Sequence, residues 1–251
     1  MANRRIATEP ALYLYGISRS PGSSTTKITN VGIDGVHAVE PLSHGDFVCW
    51  VSPIDGDAFS EEISRNRENL EWLALHSVRH QQVVAEIAAR YTIVPARFGT
   101  VFSGKPALLK NIEGRRAALE KVFKRIVDAD EWGVKVFSER AAVTEARPEA
   151  HSGKEYLQQK AARMKRRPDQ DDPGLREFAA ALEKIAADSA PSGKISGVQP
   201  DLLWQATFLV ARAQRKQWDK ILKDFVRKWN RTRRIEVNGP WPPYSFVSDA
   251  E

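Results

Sequence analysis

Apolar residues dominate Ala11–Ile17 (ALYLYGI) and stop at a Ser/Pro/Gly run, which predicts a strand followed by a loop. VHAVEP (36–41) and DFVCWVSP (46–53) predict second and third strands, separated by Leu42–Gly45. From Ser60, placed as an N-cap with Glu61 and Glu62 in the first turn, apolar residues recur at Ile63, Leu70, Leu73, Leu75, Val78, Val84 and Ile87. That spacing predicts one long helix ending near Tyr91. TIVPARFGTVF (92–102) is β-rich, and its proline blocks helix continuation. Pro106 opens a further helix through Leu109, Ile112, Leu119, Val122, Phe123 and Ile126, and EWGVKVFSE (131–139) returns to a strand.

In the second half GKEYLQQKAARMKRR (153–167) predicts a helix and PDQDDPG (168–174) the clearest interior loop. LREFAAALEKIAADSA (175–190) predicts a helix, LLWQATFLVA (202–211) a strand, Arg215–Asn230 an amphipathic helix and RRIEVN (233–238) a last strand. The order β, helices, β, α, β from Glu131 onward points to split βαβ units and a compact domain of ferredoxin-like kind. The expected fold class is α+β in two domains. A mixed α/β domain covers 11–130, and a ferredoxin-like domain covers 131–247 and carries the tail, with 1–10 as an N-terminal extension.

The tail itself, Gly239–Phe246 (GPWPPYSF), places three prolines and three aromatics near the chain end, where most chains fray. Proline fixes φ and removes a donor, so the segment is neither helix interior nor central strand. It either plugs its own protein or docks on another, and the plug is the expected first role.

Composition narrows the class. Of 251 residues, 42% are hydrophobic and 28% charged, as in a folded soluble protein. No apolar run reaches the ~18–20 residues needed to span a bilayer, and the first residues do not read as a signal peptide. The single Cys49 is expected to be buried and reduced, which points to the cytoplasm. The net charge is +6, yet Arg212–Arg234 alone holds ten Lys/Arg against two Asp. A basic face of this kind is available to nucleic acid, a membrane surface or an acidic partner, or is the solvated side of a helix.

Candidates for chemistry are few. His76 and His80 share a helical face, where two metal ligands could sit, but no third ligand, HExxH pattern or cysteine pair accompanies them. Hydrogen-bonded histidines are the simpler expectation, and no metal or cofactor is expected. In PARFGTVF, Arg97 reads as an anion or carboxylate anchor beside Phe98, with Gly99 a point of close backbone approach; an internal salt bridge is the plainer alternative. No GxGxxG, GxxxxGK[ST] or GxSxG pattern and no conspicuous carboxylate pair occurs, so no catalytic residue is assigned and an enzyme is not expected. In Gln214–Asn230, Trp218, Ile221, Leu222, Phe225, Val226 and Trp229 form one apolar stripe opposite Lys216, Lys220, Lys223 and Arg227.

The order YLYGI, a His-bearing helix, VPARFGTVF, EWGVKV, GKEYL, ATFLV and GPWPPYSF resembles the gas vesicle protein L/F family from about Leu12 to Val247. The basic N-terminal extension is unmatched, and Trp204 stands where a smaller residue is expected. The resemblance implies two α+β domains, the second a modified ferredoxin-like fold with a helical extension. It also implies a non-enzymatic accessory or minor structural protein required for gas vesicle assembly, located in the cytoplasm and on the gas vesicle. The implied partners are the hydrophobic major shell protein and other gas vesicle accessory proteins, not nucleic acid or membrane. Candidate partner-binding residues are Arg97, Phe98, Trp241, Tyr244 and Phe246. The alternative from a different class is a basic ferredoxin-like nucleic-acid-binding protein, which would lack an RNP-like aromatic strand.

Overall fold

The computed structural model describes residues 10–20, 27–139, 172–191, 199 and 201–248. The expected helix at 153–167, His151 and the N-terminal extension up to residue 9 lie outside the described residues. Contacts divide the chain into two compact units, Met1–Asp128 with Trp241–Glu251, and Ala129–Pro240. The tail therefore belongs with the first unit, not with the C-terminal one as expected.

In the first unit β1 (Ala11–Arg19), β2 (Glu40–His44), β3 (Phe47–Ile54), β4 (Ile93–Pro95) and β5 (Val101–Phe102) form one sheet in the order β2-β3-β1-β4, with β5 also on β1. The second strand is shifted from its expected place. Gly45, at φ 57°, takes the left-handed turn position, so Leu42–His44 belong to β2 and the hairpin tip moves to Gly45-Asp46.

β1 carries a bulge at Tyr15: Leu14 faces Val51, but Gly16 already faces Trp50. The extra residue places Leu14 and Ile17 on one face although they are three apart. That face packs on α3 (Lys105–Gly114) and α4 (Arg116–Ile126), where Phe47 stacks on Phe123 at 5.7 Å. The other face presents Tyr13, Tyr15 and Trp50 to α1 (Gly56–Arg65) and α2 (Leu70–Ala88), with Phe59, Val83, Val84 and Ile87 buried against them.

Gly16 lies where β4 crosses closest. A Cβ there would stand 2.6 Å from Ile93 Cδ1 and 2.8 Å from the Val94 carbonyl oxygen. We expect Gly16→Ala to cost about 1–3 kcal/mol, read by urea unfolding. A stability unchanged within ~0.5 kcal/mol would show that β4 yields freely.

The single long helix expected from Ser60 is two. Asp55, not Ser60, caps α1 by accepting from the Ala58 N–H at 3.0 Å. Asn66 closes it, and Asn69 caps α2 by accepting from Trp72 N–H at 3.1 Å. Two short polar side chains thus satisfy the helix-end groups that a continuous helix would not expose. The helix expected from Pro106 to Ile126 is likewise broken, at Arg115.

The second unit holds β6 (Ala129–Ser138), α5 (Pro173–Glu183), β7 (Asp188–Pro191), β8 (Leu202–Ala211), α6 (Arg215–Trp229) and β9 (Arg233–Trp241). Its sheet runs β7-β8-β6-β9. The expected helix at 175–190 stops at Glu183, and its alanine-rich end becomes β7 against β8. Asp172 caps α5 through Gly174 and Leu175 N–H and receives Arg233 Nη2 at 2.7 Å, joining helix to strand. Phe178 forms the centre of the core, 4.9 Å from Phe225 and 5.0 Å from Trp229, and it takes Trp204 edge-on. Trp218, Leu222, Phe225 and Trp229 are the buried stripe of α6, while Val226, expected in it, is exposed. Both units are mixed α+β, with antiparallel pairing in both sheets.

Candidate functional site

Within the first unit, PARFGTVF is an edge strand interrupted by a loop. β4 and β5 both pair with β1, and residues 96–100 leave the ladder between them. The loop is tied at each end, by Ala96 N–H to the Tyr15 carbonyl and by Leu14 N–H to the Thr100 carbonyl, both at 2.9 Å. Thr100 donates through its N–H and its hydroxyl to the Arg97 carbonyl, closing the turn. Gly99 at φ 83° completes it, a conformation that side-chain-bearing residues rarely adopt.

His80 links this loop to the tail. Its Nε2 lies 3.2 Å from the Ala96 carbonyl oxygen, which only accepts, so Nε2 carries the proton. The Tyr244 hydroxyl sits 3.2 Å from the same nitrogen. Nδ1 then accepts from the Tyr13 hydroxyl at 3.0 Å, and the Tyr13 oxygen accepts the Gly99 N–H at 3.0 Å. Tyr15 stacks on the His80 ring and exchanges a hydrogen bond with Ser52 at 2.9 Å. Four distant stretches of sequence meet at one buried imidazole.

Burial lowers the His80 pKa to about 4, against a smaller opposing effect of the Ala96 bond, so the ring is neutral at pH 7. Burial likewise raises Tyr15 to about 12 and the Cys49 thiol to about 12; at Cys49 the Arg115 charge works against the rise. Cys49 is fully buried, an inert structural thiol.

The His76/His80 pair does not converge on a common point. His76 stacks on Trp72 at 3.9 Å and bonds the Trp72 carbonyl, while both ring nitrogens of His80 have the partners given above. Among the described residues no group of three or more His, Cys, Asp or Glu is placed to hold a metal ion.

Of the five partner-binding candidates, the structure brings Phe98 and Tyr244 to His80; Arg97 is exposed on the loop, and Trp241 is 51% exposed. Phe246 is 1% exposed with the Arg125 guanidinium over its ring, a core residue. His80 is hydrogen-bonded, as the simpler expectation had it, but its partner Tyr13 was missed, since its only signal was a polar-tipped aromatic in an otherwise apolar strand.

The basic stretch of the second unit is largely neutralised. Arg212 pairs with Asp130, Arg215 with Asp219, Lys220 and Arg227 with Asp224, Lys228 with Glu177, Arg233 with Asp172 and Arg234 with Glu236. Among the described residues no helix is long and apolar enough to cross a membrane.

Residues 11–248 match the family described as gas vesicle synthesis protein GvpL/GvpF. The chain belongs to the GvpL/GvpF family. It is 28% identical to gas vesicle protein L of Streptomyces sp. (strain CB03234) over 98% of this chain and 96% of that one. It is 30% identical to gas vesicle protein F of the same organism over 94% and 98%. The GvpL/GvpF fold is also that of the crystal structure of GvpF from Anabaena sp. PCC7120, with a TM-score of 0.71 at 19% identity, covering 96% of this chain and 99% of that one. GvpF from Microcystis aeruginosa gives 0.65 at 20% identity over 95% and 99%. The GvpL/GvpF match spans the loop and the tail that meet at His80.

Proposed function

We propose that this chain is a non-enzymatic assembly protein of gas vesicles that binds the hydrophobic major shell protein, and other gas vesicle accessory proteins, while the vesicle forms in the cytoplasm. The observation that carries the reading is the family match across residues 11–248. A shell subunit exposes apolar surface before it joins the wall, and a soluble binder that covers this surface prevents aggregation.

The contact is apolar in character. Seven of the ten cations between Arg212 and Arg234 already have carboxylate partners, which disfavours the nucleic-acid alternative and its steep salt dependence. Trp241 and Arg97, with the accessible parts of Phe98 and Tyr244, form the proposed contact surface, and the buried Phe246 anchors the tail. The second unit is assigned a modified ferredoxin-like fold, supported by its β7-β8-β6-β9 order with α5 before β7 and α6 before β9.

Co-expression with the major shell protein followed by pull-down at low and high salt tests the reading. Salt-resistant capture with improved shell-protein solubility is expected. Absence of capture at both salt concentrations would overturn direct binding, and capture lost at high salt would overturn the apolar contact.

A further inference from the structure

On the face of the first sheet opposite His80, the same loop walls a cavity of about 320 Å³, at the small end of ligand-binding cavities (~300–1,000 Å³). Its floor is apolar, made by Leu14, Ile17, Val94 and Phe102. Four polar side chains line it: Arg97 and Thr100 from the loop, and Asn111 and Arg115 from α3 and the α3–α4 junction. The Asn111 amide oxygen is buried there with no protein hydrogen-bond partner. That oxygen only accepts; a half-turn of the amide puts its nitrogen there instead, the orientation in which Asn111 donates to an acceptor.

We propose that this cavity binds a carboxylate carried on a small apolar body, either a free short-chain acid or the last residue of a polypeptide. The inference goes beyond the assembly role and does not depend on it. Guanidinium groups match a planar carboxylate and hold it through charge-assisted hydrogen bonds. The apolar floor takes the aliphatic substituent. A phosphate dianion fits poorly, because it would carry more charge into a largely apolar cavity than two guanidinium groups and one amide repay. The wall is preorganised: the loop is bonded to β1 at both ends, and the two Thr100 donors to the Arg97 carbonyl fix where that side chain leaves the backbone.

The test titrates the full chain with isovalerate and with isovaleramide, its neutral isostere, following the methyl resonances of Leu14 and Val94. Saturable shifts with isovalerate, and at least about tenfold weaker binding of the amide, are expected. Arg97→Gln should weaken isovalerate about tenfold while leaving the fold intact, since Arg97 is exposed; Arg115→Gln is the second variant. A peptide with a free apolar C-terminal residue that competes, where its amidated form does not, identifies a polypeptide end as the source. Failure of the peptide to compete while isovalerate binds identifies a small acid. Equal affinity for acid and amide, or no response of either methyl group, overturns the proposal. Shell protein is absent throughout, so a failure here is distinct from a failure of shell capture.

Discussion

Phe246→Ala is expected to destabilise the first unit by about 3–5 kcal/mol, the range for removing a fully buried aromatic ring from a packed core. Phe246 is 1% exposed and Val247 2%, so this turn of the tail is core. Arg125 covers the ring at 5.6 Å and donates to the Phe246 carbonyl at 3.4 Å, which fixes the turn from two sides. Loss of the anchor also releases Tyr244 from His80, so the damage should spread to α2 and β1. Hydrogen-exchange mass spectrometry reads this locally: faster exchange is expected in peptides from β1 and α2, and none in β8 of the second unit. Trp241→Ala is the companion variant. Trp241 is 51% exposed, so its removal should cost no more than ~0.5 kcal/mol while weakening shell-protein capture. A Phe246→Ala cost below ~1 kcal/mol would mean that the tail is a removable arm and not a plug.

That plug could be foreseen from proline stiffness and aromatic content, but its receptor could not. Positions 13, 80, 99 and 244 come together only through strand pairing and helix docking, and nothing local in the sequence records such pairings. What was legible is what has a strong period and a single competing state. The apolar runs of β1, β3 and β8, and the stripe of α6, appear close to where the pattern puts them. The α1–α2 break was hidden because Leu70, Leu75 and Val78 fit a helical period yet lie on the exposed side of α2. The first turns of its buried face are marked only by His76 and His80, polar by type, and apolar residues take over at Val83, Val84 and Ile87. β7 was hidden because alanine-rich AADSA favours helix by propensity, and pairing with β8 overrides that. Arg97 could be picked out as a candidate anion anchor from its motif, and it lines the cavity of the proposal. Asn111 and Arg115 could not, because only the docking of α3 on Leu14 and Ile17 brings them to the same cavity.

The buried imidazole makes the second large prediction one of pH. His80 titrates at about 6.5 in the unfolded chain and about 4 in the folded one. Between these values the unfolded state binds more protons, so stability is full above pH 6.5 and falls as the pH drops toward 4. A shift of this size corresponds to roughly 3 kcal/mol. Protonation would place a hydrogen on Nδ1, where Tyr13 now donates, and that hydroxyl would have to surrender its own donor bond. Other groups respond at different pH. Burial opposes ionisation of Glu86, but hydrogen bonds from Asn30 and Thr29 bring it down to about 2, so its contribution is lost only below about 4.5. His80→Gln separates the two, since glutamine keeps one donor and one acceptor and does not titrate. At pH 7 the wild type should be the more stable by urea unfolding, and the gap should close by about 3 kcal/mol on going to pH 4. A gap that stays constant from pH 7 to pH 4 would show that His80 does not carry the acid sensitivity of the loop, helix and tail that it joins.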